Sequence, residues 1–166
     1  MALKDALLPE FDHEVGTTRR LLERVPEADL AWKPHPKSFS LGQLASHIAN
    51  ILHWVGATCD LTVFDLATIG DDARPKQPAS LAEILTAFDA NAKTARAKVD
   101  AQSDALMLAQ WTMKHGDQEV MSMPRAAVLR SFIMNHLIHH RGQLSVYLRL
   151  RDVPLPAIYG PTADEG

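Results

Sequence analysis

Apolar residues recur at steps of three and four through four separate stretches of this 166-residue chain, and proline- and glycine-bearing connectors divide the stretches. That rhythm is the period of an α-helix with one apolar stripe, and such stripes can leave water only by packing against one another. The first stretch runs from about Leu3 to Val25, with Leu7, Phe11, Val15, Thr18, Leu22 and Val25 on its stripe, and Pro26 stops it. A connector to Phe39 follows, with three prolines and the aromatic pair Trp32 and Phe39. Ser40 then caps a second helix to about Asp60 or Thr62, with Leu41, Leu44, Ile48, Ile51 and Val55 inward.

Residues from about Val63 to Ala79 break the pattern with Gly70, Asp71, Asp72, Pro75 and Pro78, which predicts a long crossover. Ser80 and Glu83 form a capping box that opens a third helix to about Ala101, carrying Leu81, Leu85, Phe88, Ala92, Ala95 and Val99. Between Trp111 and Met123, apolar residues flank His115-Gly116-Asp117 and predict a short hairpin turning at Gly116. Pro124 suits a helical first turn, and a fourth helix extends to about Arg149. From about 152 onward Pro154, Pro156, Gly160 and Pro161 mark an irregular tail. The expected architecture is all-α, a four-helix bundle forming one domain over residues 1–166, with a long crossover between helices two and three and a short hairpin before helix four.

A formal net charge of −3, with Lys and Arg scattered, argues against nucleic acid as a partner, because phosphates demand a basic patch. The amino terminus lacks a signal-peptide core and no apolar run reaches a membrane span, so a cytoplasmic protein with no membrane partner is expected. The single cysteine, Cys59, allows no internal disulfide and falls near the apolar side of its helix, where packing rather than nucleophilic chemistry is expected.

The fourth stripe contains the chemistry. At 100° per residue it reads Leu129, Ile133, His136, His140, Leu144, Tyr147, placing two imidazoles one turn apart on one apolar face. Buried imidazoles need partners for both nitrogens, and a shared cation would satisfy two such rings. His47 lies about 60° from the centre of the second stripe and can point inward, whereas His53 falls on the opposite face. The plainer alternative is three core histidines bonded to carbonyls or water.

The run Leu41-Gly42-Gln43-Leu44-Ala45-Ser46-His47-Ile48-Ala49-Asn50 with Trp54, and the later His136-Leu137-Ile138-His139-His140-Arg141-Gly142-Gln143-Leu144, resemble the two signature stretches of the DinB/YfiT-like family of metal-dependent proteins. The resemblance covers nearly the whole chain in helix order. It implies a four-helix bundle, a homodimer, and a divalent metal held by His47, His136 and His140. Three imidazoles suit zinc or nickel first, with iron, manganese or copper as further candidates, better than magnesium or calcium. Three protein ligands would leave a position open for water or substrate. Asn50 and Gln143 are candidate outer partners of the ring N–H groups. Arg141 leaves the metal face and is expected in a salt bridge to another helix or a subunit. His139, on the flank, is a pocket-lining or surface group before it is a fourth ligand, and Glu14 on the first helix could at most intrude as one.

The resemblance also implies two functions: a metal-dependent hydrolase or thiol-dependent transferase acting on a small molecule, and a non-catalytic stress protein that binds a metal or small molecule. Only scattered cations, Lys33, Lys37 and Arg141 among them, are available to receive an acidic thiol.

Overall fold

The computed structural model of the chain describes residues 1–69 and 76–165. Helix α1 (Leu3–Leu22) stops short of Pro26, and a 3₁₀ turn (Glu27–Asp29) begins the connector. Helix α2 (Leu41–Ile51) opens on a complete capping box: Ser40 Oγ accepts from the Gln43 N–H at 3.1 Å while Gln43 Oε1 accepts from the Ser40 N–H at 3.0 Å. Gly42 in its first turn is a close approach. A Cβ there would stand 2.9 Å from the Leu30 carbonyl oxygen and 2.8 Å from Gln77 Nε2, which itself donates to that carbonyl. The connector and the end of the crossover are therefore pressed onto the start of α2, and α2 is fixed before it reaches His47.

The second helix is not continuous. It breaks at residues 52–53 and resumes as α3 (Trp54–Asp60). The expectation of an all-α chain is also corrected. The Trp111–Met123 hairpin exists as β2 (Gln110–His115) and β3 (Gln118–Pro124), antiparallel, with Gly116 at φ 61° in the turn. A short strand, β1 (Val63–Asp65), pairs parallel with β2 and completes a three-stranded sheet in the order β1-β2-β3. The crossover thus begins as strand and a 3₁₀ turn (Leu66–Thr68); Gly70, Asp71, Asp72 and Pro75, four of the residues that break the helical pattern, lie outside the described residues.

Helix α4 (Leu81–Asp100) starts with Ser80 Oγ accepting from the Glu83 N–H, and α5 (Asp104–Leu108) leads into the sheet. After β3 come one turn of helix, α6 (Arg125–Ala127), a seven-residue π-helical segment (Val128–Met134), and α7 (Asn135–Arg149). Helix α2 packs on α4 and α7, and α1 packs on the same two, so the fold is mostly helical around a shared core of Phe11, Leu21, Leu44, Ile48, Phe88 and Leu144. The sheet has its own apolar cluster, Trp111, Met113 and Val128, and the indole N–H of Trp111 is satisfied by the Ala57 carbonyl at 3.1 Å.

Buried Arg125 joins the two parts, donating to the Thr58 and Leu61 carbonyls at 2.9 Å each. These carbonyls close α3, where a helix leaves acceptors unfilled and a cation is favoured. The tail has no regular structure yet is tied down: Arg24 pairs with Glu165 at 2.5 Å and Arg149 pairs with Asp164. Among the described residues no helix is long and apolar enough to cross a membrane.

Candidate metal centre

The π-helical segment decides where the histidine pair points. Its i→i+5 bonding adds residues to a turn, so a count at 100° per residue runs ahead of the real helix. The buried residues are Val128, Leu129, Ile133, Met134, Leu137, Arg141, Leu144 and Leu148, in place of the expected stripe through His136 and His140. Each histidine sits one residue before a core position, on the flank of the helix that meets α2. The rings are half-buried as a result, packed on one side and open on the other.

His47 reaches both rings from the middle of α2. Its ring centre lies 5.1 Å from that of His136 and 4.6 Å from that of His140, and the latter two are 4.7 Å apart. The Nε2 atoms of His47 and His136 face each other at 3.3 Å. One ligand nitrogen from each of the three residues lies within 4.8 Å of the others. His140 Nδ1 lies 2.7 Å from Gln143 Oε1, and the Gln143 amide nitrogen lies 3.1 Å from His139 Nε2. With the amide oxygen accepting, the proton of His140 stays on Nδ1 and its Nε2 keeps a lone pair.

Burial is the leading cause that lowers the pKa of all three rings, to about 4 for His47 and His136, with the neighbouring imidazoles adding to it. At neutral pH the rings are uncharged donors. Among the described residues, the ionisable groups that act on them are one another and His139.

Other expected roles are settled by position. Asn50 is exposed and donates to the Ser46 carbonyl of its own helix, so it does not serve His47. Gln143 does hold His140, as described. Glu14 does not intrude on the three rings: it is buried, paired with Arg141 Nη1 at 2.6 Å and accepting from the Tyr159 hydroxyl at 2.8 and 2.9 Å. Arg141 is therefore in an inter-helix salt bridge, as its divergence from the metal face predicts. His53 is exposed and lines a surface groove with Lys98 and Asp60, and His139 is exposed. Burial and then Asp60 raise the Cys59 thiol to about 11, which leaves it a packing residue.

Two residues beside the site, Phe39 and Phe132, were not assigned to it from sequence. The Phe39 ring lies 6.0 Å from that of His47, and the Phe132 ring lies 5.9 Å from that of His136. An aromatic before an N-cap and one four residues before a ligand histidine were the available signals.

Known proteins agree with the fold. The chain is 27% identical to the uncharacterized protein YrdA of Bacillus subtilis over 166 residues, covering 97% of this chain and 90% of that one. A crystal structure of a DinB-like protein from Bacillus cereus superposes with a TM-score of 0.71 at 20% identity, covering 93% of this chain and 97% of the other. The DinB-like protein YjoA of Bacillus subtilis gives a TM-score of 0.70 at 18% identity, covering 93% and 99%. These two share the fold. The DinB family matches residues 1–166, the whole chain, and the protein belongs to the DinB family.

Proposed function

We propose that His47, His136 and His140 hold one divalent transition metal, zinc or nickel first, and that the protein is a metal-dependent hydrolase or thiol-dependent transferase acting on a small molecule. The observation that carries this reading is the pair of Nε2 atoms facing each other at 3.3 Å in a half-buried site that no carboxylate joins among the described residues. A hydrogen bond there requires one ring to give up its other tautomer, and two lone pairs at that distance repel. A cation between them removes the conflict. With metal–nitrogen bonds of 2.0–2.1 Å, ligand nitrogens of a tetrahedral site stand roughly 3.3–3.4 Å apart. The His47–His136 separation matches that edge, so the residues present fit such an ion.

When bound, the ion would supply Lewis-acid activation of a water or thiol at neutral pH. The chain supplies the setting. Gln143 fixes the tautomer and rotation of His140, the Ser40–Gln43 cap and the Gly42 contact fix α2, and the Arg141–Glu14 pair fixes α7. Phe39 and Phe132 cover two sides of the rings. Among the described residues the groups that stack on or hydrogen-bond the three rings are phenyl, imidazole and amide, with no carboxylate among them to move a proton, which favours as second reading a non-catalytic protein that retains a metal or small molecule. The catalytic reading and the metal-retaining form of the second require the ion. Elemental analysis after loading and desalting should find close to one metal per chain in the wild type and almost none in a His136→Ala, His140→Ala double variant; equal content in the two would refute the metal.

A further inference from the structure

A divalent ion on three neutral imidazoles keeps its full charge, and among the described residues no Asp or Glu acts electrostatically on these rings. In a half-buried site that charge favours an anionic further ligand over a neutral one. The surroundings then choose what the anion is attached to. Phe39 is 40% exposed and belongs to neither apolar cluster, so core packing does not explain its position. A single exposed apolar residue would need no explanation. This one has its ring against His47, and its backbone is held: the Phe39 carbonyl accepts from the Tyr147 hydroxyl of α7 at 3.4 Å, and the next residue is the Ser40 cap of α2. Across the site Phe132 lies against His136 and is braced edge-on by Trp54, with ring centres 5.9 Å apart. Among the described residues no lysine or arginine is stacked on either ring, so neither phenyl holds a cation ready for a second negative charge on the ligand.

We infer that the site selects a monoanion whose donor atom is carried on a flat apolar body, such as an aromatic carboxylate, with Phe39 as the residue that sets this preference. The inference rests on the metal reading above. Phe39 would receive the face or edge of the ligand's ring, an arrangement worth a severalfold gain over a ligand of equal charge without a ring. Polyanionic ligands would be disfavoured, since their extra charge would be desolvated beside phenyl groups.

The test uses the cobalt-loaded protein at pH 7, followed by visible absorption and, independently, by calorimetry, with benzoate, acetate and isophthalate as probes. Benzoate should bind about fivefold to tenfold more tightly than acetate. Isophthalate, the same body with a second charge, should bind more weakly than benzoate. Phe39→Ala should bring benzoate down to the acetate level while leaving acetate unchanged, and Phe39→Lys should make isophthalate the preferred probe. Because Phe39 is outside the core, both variants should fold, and circular dichroism checks it. If acetate and azide perturb the cobalt spectrum but benzoate shows no advantage, or if Phe39→Ala keeps the benzoate preference, the inference is overturned and the metal reading stands. If cobalt does not bind, both fall.

Discussion

His140 and Arg141 are neighbours in sequence on α7 and end in opposite electrostatic circumstances. Arg141 is 1% exposed, and its charge is answered inside the chain by Glu14 at 2.6 Å and by the Tyr159 hydroxyl at 2.5 Å. Among the described residues, His140 joins two like groups and no counter-charge, and its Nδ1 alone has a hydrogen-bond partner, Gln143. One flank of the helix is complete without any ligand. The other gathers three donors that compete for the same space. Buried polar groups are normally satisfied, so the contrast separates a group that holds the fold together from a group arranged for something outside the chain.

The largest expected effect falls on the completed flank. Arg141→Ala strands a buried carboxylate and should cost about 3–5 kcal/mol in denaturant unfolding. Replacing Arg141 and Glu14 together with Met and Leu should recover most of that loss, because the pair rather than either charge is what the interior tolerates. The metal-free His136→Ala, His140→Ala protein should by contrast unfold within about 1 kcal/mol of wild type. A loss for that double variant as large as for Arg141→Ala would erase the distinction between the flanks.

A smaller effect concerns Gln143. It orients His140 without reaching the other two rings, so Gln143→Ala should weaken metal binding about 10- to 100-fold and leave unfolding of the apoprotein nearly unchanged. Calorimetric titration checks the first part. Unchanged affinity would show that the amide is an ordinary rim residue.

A further effect is in pH. Folding lowers the pKa of His47 and His136 from 6.5 to about 4, so between those values the unfolded chain binds protons that the folded chain refuses. Apoprotein stability should therefore fall as pH drops from about 6.5 toward 4, and should show no contribution from these rings above 6.5. The His136→Ala, His140→Ala protein should give a flatter profile over that window, and a profile as steep as that of wild type would contradict the burial of the rings.

Much of this contrast was legible in the sequence, because helical periodicity is local. The stripes of α1, α2 and α4, the Ser40 and Ser80 caps, and the turn at Gly116 all follow from residues within a few positions of one another. The departures come from bonding that the sequence does not write locally. The break at residues 52–53 has no proline or glycine at it. Strand β1 is three residues long and exists by pairing with Thr112, Met113 and Lys114, far along the chain. The π-helical segment carries ordinary helix residues, so a uniform count placed His136 and His140 in the core and Leu137 and Arg141 beside it, one residue out of phase. The convergence with His47 survived that error because the flank so exposed is the one that faces α2.

Whether these three imidazoles meet at one ion is tested most directly by zinc titration of the apoprotein with single alanine variants. Wild type should show one site per chain, His47→Ala, which removes a ligand outright, an affinity loss of at least about 100-fold, and His53→Ala, whose ring is exposed on the far side of the α2–α3 break, no change. Wild-type affinity in His47→Ala, or an equal loss in His53→Ala, would contradict a shared ion.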